Sequence, residues 1–109
     1  LPIVILMNNE SASASELFTG ALKDNGYAET VGDTSYGKGV AQSILEVLGK
    51  DGSTVIGGLK LTTIKYYLPN GESINKVGIT PDYKIKDNKK TAKDEQLDYA
   101  VKKIKKMID

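Results

Sequence analysis

Apolar and polar positions along the chain fall into blocks that predict a mixed α/β protein. Leu1–Met7 is a continuous apolar run rich in valine and isoleucine, a pattern typical of a strand buried on both faces. After a polar break, apolar residues recur at helical spacing from Ser13, and Asn25-Gly26 marks the predicted end of this helix. Ala28–Val31 is a candidate second strand. A strand, a helix and a strand in this order indicate a βαβ unit, so we expect a parallel sheet.

The middle of the chain predicts a loop followed by a hairpin region. Gly32–Gly39 is punctuated by glycines, and we call it the glycine loop. Val40–Leu48 fits either a helix or a strand, whereas Leu59–Tyr67 alternates in the manner of a strand. A Pro-Asn-Gly turn follows, and Ser73-Ile74 is predicted to begin a short return strand.

The C-terminal part predicts a solvated linker, beginning after Asp82, and then an amphipathic helix. The apolar residues of this helix lie three and four positions apart, and its lysines occupy the opposite face, where we expect them to be solvated. The apolar set is Leu97, Ala100, Val101, Ile104 and Ile108, and the lysines are Lys102, Lys103, Lys105 and Lys106.

Composition removes several classes of function. Fifteen basic and fourteen acidic residues give a net charge of +1, which favours neither nucleic acid nor a membrane surface as a partner. The chain has no cysteine and no histidine, so disulfides, the common zinc sites and Ser-His-Asp catalysis are excluded. The seven-residue apolar run at the start is far shorter than the ~20 residues of a spanning helix. Because the chain begins inside that run without methionine, we expect a fragment or a processed product.

The segment "NNESASASELF", Asn8–Phe18, allows two interpretations. Ser13 and Glu16 are three residues apart, which fits a capping box at the start of a helix. A serine at this position also lies where backbone N–H groups and the helix dipole favour negative charge, as the oxyanion of acyl transfer requires. The second interpretation needs a proton acceptor, which the segment itself does not supply.

The glycine loop offers such an acceptor, although it first resembles a nucleotide site. "GDTSYGK" matches the first seven positions of a P-loop, but Gly39 stands where serine or threonine must bind Mg²⁺. Lys38 is the alternative, as a general base. A lysine amine can take a serine proton when burial lowers its pKa from about 10.4 toward about 7–8. Ser-Lys pairs are a known variant of the catalytic triad, and flanking glycines help to bury the lysine.

Three segments in order resemble the C-terminal half of the carboxyl-terminal processing proteases, also called tail-specific proteases. They are "NNESASASELFTGAL", "VGDTSYGKGVAQSI" and "LKLTTIKYYLPNGESINKVGITPD". The resemblance implies an α/β fold that is part of a β/α core like that of the Clp peptidases and crotonases, with a β-hairpin region and a C-terminal amphipathic helix. Residues 1–83 would then be the C-terminal part of a Ser-Lys peptidase domain, and residues 84–109 a lysine-rich linker and C-terminal helix.

The resemblance also implies a role for each candidate residue. Ser13 matches the nucleophile, Lys38 the general base, and Gln42 the residue that orients the lysine. The backbone N–H of Ala14, directly after the nucleophile, is the expected first oxyanion donor. Glu16 is interpreted as a helix cap and not as part of the chemistry.

The function implied by the resemblance is that of a serine endopeptidase that cuts proteins near their C-termini, with no metal or cofactor. Its partners would be protein or peptide substrates with accessible C-termini, and not nucleic acid. Its location would be the bacterial periplasm or cell envelope, with anchoring through a preceding segment as one option. The family's PDZ domain and second oxyanion donor lie upstream of Leu1, so we expect the 109 residues to be inactive by themselves.

Three further possibilities stay open at the level of sequence. The first two concern function: a non-catalytic binding module on the same fold, like the retinoid-binding relatives, and, with less support, a P-loop-like nucleotide binder. The third concerns assembly: exposed strand edges could pair with a second copy of the chain and form a homo-oligomer.

Overall fold

The structure, a computed structural model, describes residues 1–109 and consists of two sheets and two helices. The elements in chain order are β1 (Val4–Met7), α1 (Ala14–Asp24), β2 (Glu29–Gly32), β3 (Val40–Leu48), β4 (Val55–Lys65), β5 (Tyr83–Lys84) and α2 (Glu95–Ile108). Strands β1, β2 and β5 form one sheet in that spatial order, and β3 and β4 form a separate antiparallel pair. The predicted α/β fold class is confirmed.

The β1–α1–β2 unit has the parallel pairing that the sequence predicts, with Val4 opposite Glu29 and Met7 opposite Gly32. The expectation that β1 is buried on both faces is wrong. Met7 is buried, but Leu6 is 44% exposed. The reason is that β1 lies at the edge of the sheet and pairs with β2 alone.

The ambiguous segment before the Asp51-Gly52 turn is a strand, β3, and it pairs with β4 over its whole length. β4 begins four residues before the predicted start at Leu59 and ends at Lys65. A register shift between Ala41 and Gln42 interrupts the strict alternation of faces that the sequence suggested. The hairpin is paired only with itself, so the apolar side chains of β4 are exposed.

Two predictions between Leu68 and β5 are wrong. No strand begins at Ser73-Ile74; Ile74 instead joins Met7, Leu68 and Ile79 in the buried core. The residues after Asp82 do not form a fully solvated linker, because Tyr83–Lys84 pairs in parallel with β2 as β5. Thr30 and Asp82 hold the two strands together. The Asp82 carboxylate accepts hydrogen bonds from the N–H of Thr30 at 2.8 Å and from its hydroxyl at 2.9 Å.

Helix α2 packs on β1 and β2, and one of its lysines is not solvated as predicted. Lys103 Nζ lies 3.0 Å from Glu29 Oε2 and donates a hydrogen bond to the Tyr83 hydroxyl at 2.7 Å. The bond to Tyr83, and then the bond to Glu29, raise the pKa of Lys103 above its ordinary value. The other three lysines of the set are exposed, as expected. Neither α1 nor α2 has the length and apolar character needed to cross a membrane.

The Thr30–Asp82 contact predicts a pH dependence of stability. Burial raises the pKa of Asp82, but hydrogen bonds from Thr30 and Lys23 outweigh it and leave this pKa below its ordinary value. A carboxyl of this kind adds stability above its unfolded pKa of about 3.9 and loses that contribution as the pH falls. When the pH is lowered from about 5 to about 3, we therefore expect the free energy of unfolding to fall less in Asp82→Asn than in the unsubstituted protein.

Urea unfolding of the intact protein across this pH range measures the effect of Asp82→Asn. Asp109→Asn is the control, because this carboxylate is exposed and its side chain forms no hydrogen bond. A pH slope in Asp82→Asn equal to that of the unsubstituted protein would contradict the prediction.

Candidate active site

Helix α1 begins at a sharp turn centred on Ser13. The backbone of Ser13 has φ 56° and ψ −116°, a conformation that residues other than glycine rarely adopt. The Ser13 carbonyl accepts the N–H of Glu16 at 3.0 Å and that of Leu17 at 3.1 Å, which fixes the turn. The Ser13 hydroxyl forms no capping hydrogen bond. A serine on a strained strand-to-helix turn with an uncommitted hydroxyl is an arrangement that exposes a nucleophile.

The side chain of Glu16 is the buried centre of the site and is only 1% exposed. Its Oε2 accepts the N–H of Ser13 at 2.8 Å and the N–H of Lys38 at 2.9 Å. Its Oε1 accepts the hydroxyl of Ser35 at 2.5 Å and the N–H of Gly37 at 2.6 Å. Four donors compensate the cost of burying a carboxylate. One carboxylate oxygen therefore holds the backbones of both the candidate nucleophile and the candidate base.

The predicted capping box between Ser13 and Glu16 is formed only in part. The Glu16 carboxylate accepts the N–H of Ser13, but the N–H of Glu16 donates to the Ser13 carbonyl and not to its hydroxyl. The cap interpretation also missed the contacts of Glu16 with the glycine loop, whose donors lie 19 to 22 residues further along the chain. One signal in the sequence could have indicated these contacts. Glycine-rich segments present backbone N–H groups to anions, and an acidic residue at a helix start is such an anion.

The glycine loop is held in place by a second loop, which contains Ile74 and leads to β5. The N–H of Ile79 donates to the Ser35 hydroxyl at 2.7 Å, and the N–H of Lys76 donates to the Gly37 carbonyl at 2.7 Å. Gly37 and Gly78 both have positive φ and lie against each other's loops, and a β-carbon on Gly37 would lie 2.8 Å from Gly78 N. Only glycine permits this approach, so the position of Lys38 depends on both loops.

The same contacts explain why the glycine loop is not a phosphate cradle. A P-loop directs free backbone N–H groups at a phosphate. Here the N–H groups of Gly37 and Lys38 are both bonded to Glu16. The anion held by this loop is thus a side chain of the protein itself, which removes the structural basis for the nucleotide alternative.

The side chains proposed for catalysis are not joined by hydrogen bonds. Lys38 is exposed, whereas its role as a base predicts burial, and none of the hydrogen bonds in the structure joins it to Ser13. Gln42 Nε2 lies 3.5 Å from Thr62 Oγ1, a weak contact on the hairpin, and does not bond to Lys38. The structure therefore brings together the backbones of Ser13 and Lys38, and leaves the three-residue arrangement as a prediction.

The N–H of Ala14, the expected oxyanion donor, makes no hydrogen bond within the chain. It lies at the first position of α1, where backbone N–H groups lack partners within the helix. A free donor directly after Ser13 is what an oxyanion at this position needs.

An open cavity of about 620 Å³ adjoins Lys38 and lies between the Asn8–Phe18 segment and the glycine loop. Its lining consists of Asn9, Glu10, Ala12, Tyr36 and Lys38. The chain contains no group of three or more acidic, histidine or cysteine side chains that could hold a metal ion. The polar groups that line the cavity are therefore an amide, a carboxylate, a phenol and the Lys38 amine.

The Glu16 contacts predict that replacing Glu16 with its neutral isostere, glutamine, destabilises the protein. In Glu16→Gln the amide NH₂ replaces one oxygen and faces N–H groups that previously had an acceptor. We expect a loss of about 1–3 kcal/mol in the free energy of unfolding, together with slower labelling of Ser13 by a serine-reactive probe. Urea unfolding and probe kinetics on the intact protein measure the two effects. The exposed Glu46→Gln is the matched control, and equal behaviour of the two variants would refute the role given to Glu16.

Comparison with known proteins gives consistent results. The family model described as "Peptidase family S41" matches residues 1–85. The carboxy-terminal-processing protease of Bartonella bacilliformis is 49% identical over 81 residues, which cover 74% of this chain and 17% of the relative. The carboxyl-terminal-processing protease of Picosynechococcus is 47% identical over 81 residues, which cover 74% of this chain and 18% of the relative. The chain thus spans less than a fifth of the length of these curated relatives.

Solved structures agree with the sequence matches. A photosystem II D1 C-terminal processing protease superposes with a TM-score of 0.68 at 38% identity, covering 78% of this chain and 20% of that one. Mature CPAF superposes with a TM-score of 0.61 at 28% identity, covering 76% of this chain and 15% of that one. With most of its length matched by the family model and by relatives of this similarity, the chain belongs to peptidase family S41.

Proposed function

We propose that this chain carries the nucleophile and the general base of a serine endopeptidase that cleaves proteins near their C-termini. The observation that supports the proposal most strongly is the shared acceptor: Glu16 Oε2 takes the N–H of both Ser13 and Lys38. Because the chain has no histidine, an amine is the natural partner for a serine nucleophile. The curated relatives named as carboxyl-terminal processing proteases support the same substrate class.

The proposed reaction has two halves. In the first, Ser13 Oγ forms a bond to the scissile carbonyl carbon while its proton passes to the neutral amine of Lys38. The C–N bond then breaks, and Lys38 returns the proton to the leaving amine. In the second, water attacks the resulting ester, Lys38 takes a proton from the water, and that proton goes back to Ser13 Oγ as the acid product leaves.

The remaining predicted residues act on this reaction without exchanging protons. The free N–H of Ala14 would donate to the carbonyl oxygen as negative charge develops on it. Gln42 would leave its weak contact with Thr62 and hold the Lys38 amine by a hydrogen bond. Lys38 is exposed in this chain, so we propose that bound substrate covers it, and exclusion of water favours the neutral amine.

We also propose a location outside the bacterial cytoplasm, in the periplasm or cell envelope. The relatives that support this include bacterial proteins and chloroplastic ones from Arabidopsis thaliana. The substrates in this proposal are proteins or peptides with accessible C-termini, and recognition involves neither nucleic acid nor a metal.

Substitution of the two catalytic residues tests the proposal. Ser13→Ala removes the nucleophile, and Lys38→Arg keeps the positive charge but cannot release a proton at ordinary pH. We expect both changes in the full-length protein to abolish cleavage of a peptide substrate. Lys50→Arg, at the exposed tip of the hairpin, is the matched control and should retain activity.

Retained cleavage in Ser13→Ala or Lys38→Arg would defeat the assignment. Probe labelling of the full-length protein also distinguishes a peptidase from a non-catalytic binding module. A catalytic Ser13 reacts with a serine-selective probe, and this labelling disappears in Ser13→Ala. A full-length protein that is folded but is neither labelled nor able to cleave would favour the binding module.

A further inference from the structure

The two peptide units that flank Lys38 are held by different numbers of hydrogen bonds. The unit before it is bonded at both ends. The Gly37 carbonyl accepts the N–H of Lys76 at 2.7 Å, and the Lys38 N–H donates to the buried carboxylate of the site at 2.9 Å. In the unit after it, the Lys38 carbonyl accepts no hydrogen bond, and the Gly39 N–H donates to Asn75 Oδ1 at 3.3 Å. The orientation of this second unit therefore depends on one side chain, that of Asn75.

Asn75 is itself fixed in place, so its side chain is suited to act as an anchor. Ile74, before it, is only 2% exposed in the core, and Lys76, after it, is bonded to the glycine loop. Its contact with Gly39 is close, because a β-carbon on Gly39 would lie 2.6 Å from Asn75 N and 2.9 Å from Asn75 Cα. Glycine is the residue that permits such an approach between two backbones. Asn75 thus contacts the chain directly after the candidate base.

The orientation of the peptide unit after Lys38 affects where the lysine amine can lie. Glycine adopts many backbone conformations, so Gly39 offers little resistance to rotation of this unit. Rotation would change ψ of Lys38, and the side-chain rotamers open to a residue depend on its φ and ψ. The amine lies at the end of a flexible four-carbon stem. Without the hydrogen bond to Asn75, it would occupy more positions, and fewer of them would be suitable for proton transfer from Ser13.

We propose that Asn75 is a positioning residue for Lys38, whose amide oxygen holds the peptide unit after the base and so restricts the amine to productive positions. This inference rests on the proposed peptidase function and adds to it a residue from the loop that precedes β5. Because Asn75 acts on the base and not on the substrate, its loss should lower kcat and leave KM nearly unchanged.

Steady-state cleavage of one peptide by the full-length protein tests this role, with active sites counted from the endpoint of Ser13 labelling. Asn75→Ala removes the acceptor, and we expect kcat per active site to fall by about 10-fold or more, with KM changed by less than about twofold. Asn75→Asp keeps an oxygen acceptor in the same place and should recover most of kcat at alkaline pH. Asn70→Ala is the matched control, because Asn70 is an exposed asparagine whose Oδ1 also accepts a backbone N–H, that of Glu72.

The pH profile of Asn75→Asp is a readout that a merely structural role would not change. A new carboxylate favours the charged form of a nearby amine, so a higher pH is needed to release the base. We expect the acid limb of the kcat/KM profile to move up by about 0.5 pH unit or more. Asn70→Asp adds the same charge at the exposed turn and should not move it. The titratable groups already around the Lys38 backbone and cavity are the same in both variants: Glu10, Glu16, Tyr36 and Lys76.

An unchanged kcat in Asn75→Ala overturns the inference, and so does a rise in KM without a fall in kcat, because that result assigns Asn75 to substrate binding. If Asn75→Ala does not fold, Asn75→Asp decides alone, and an acid limb at the same pH as in the unsubstituted protein overturns the inference. Absence of cleavage and of Ser13 labelling in the unsubstituted protein refutes the proposed function itself. Normal cleavage in every Asn75 variant refutes only the role of Asn75.

Discussion

The carboxylate of Glu16 connects the start of helix α1 with the glycine loop, whose donors lie 19 to 22 residues further along the chain. It is buried, and four hydrogen-bond donors from the serine turn and the glycine loop converge on it. A buried carboxylate without such donors would destabilise the fold, so its burial and its hydrogen bonding depend on each other. The Glu16 carboxylate thus holds the backbone of Lys38 beside that of Ser13.

Hydrogen bonds from the neighbouring loop and strands hold the glycine loop in place around Glu16. The loop that contains Ile74 bonds to the glycine loop through Ser35 and Gly37, and Thr30 binds Asp82 at the end of that same segment. Close approach between the loops requires glycine at two facing positions. The strained backbone of Ser13 is thus tolerated because several independent contacts determine it, which is the usual condition for strain at a functional site.

The sequence predicted local structure well and long-range contacts poorly, for a physical reason. Periodicity and turn residues identified α1, α2 and the parallel βαβ unit, because these depend on nearby residues. Strand β5 is only two residues long and owes its place to Thr30, which lies 52 residues earlier than Asp82. The contact of Lys103 with Glu29 and Tyr83 likewise could not be distinguished from a solvated face by spacing.

The site shows the same division. Ser13, Lys38 and Gln42 are predicted through resemblance to a family, and Glu16 is interpreted as a local cap because three-residue spacing is a local signal. Its contacts with the glycine loop depend on the fold, and the wide separation in sequence hides them. Gln42 lies on the exposed hairpin, where β3 and β4 are held only by each other, and its side chain contacts Thr62 on β4.

Amide hydrogen exchange of the intact protein tests most directly whether Glu16 joins the two segments. The account predicts that the N–H groups of Ser13, Gly37 and Lys38 are protected together, while the N–H of Ala14 exchanges freely. In Glu16→Gln, the three protected N–H groups should lose protection in concert, with the core strand β2 unchanged. Independent exchange of the Ser13 and Lys38 N–H groups, or full protection in the variant, would contradict the account.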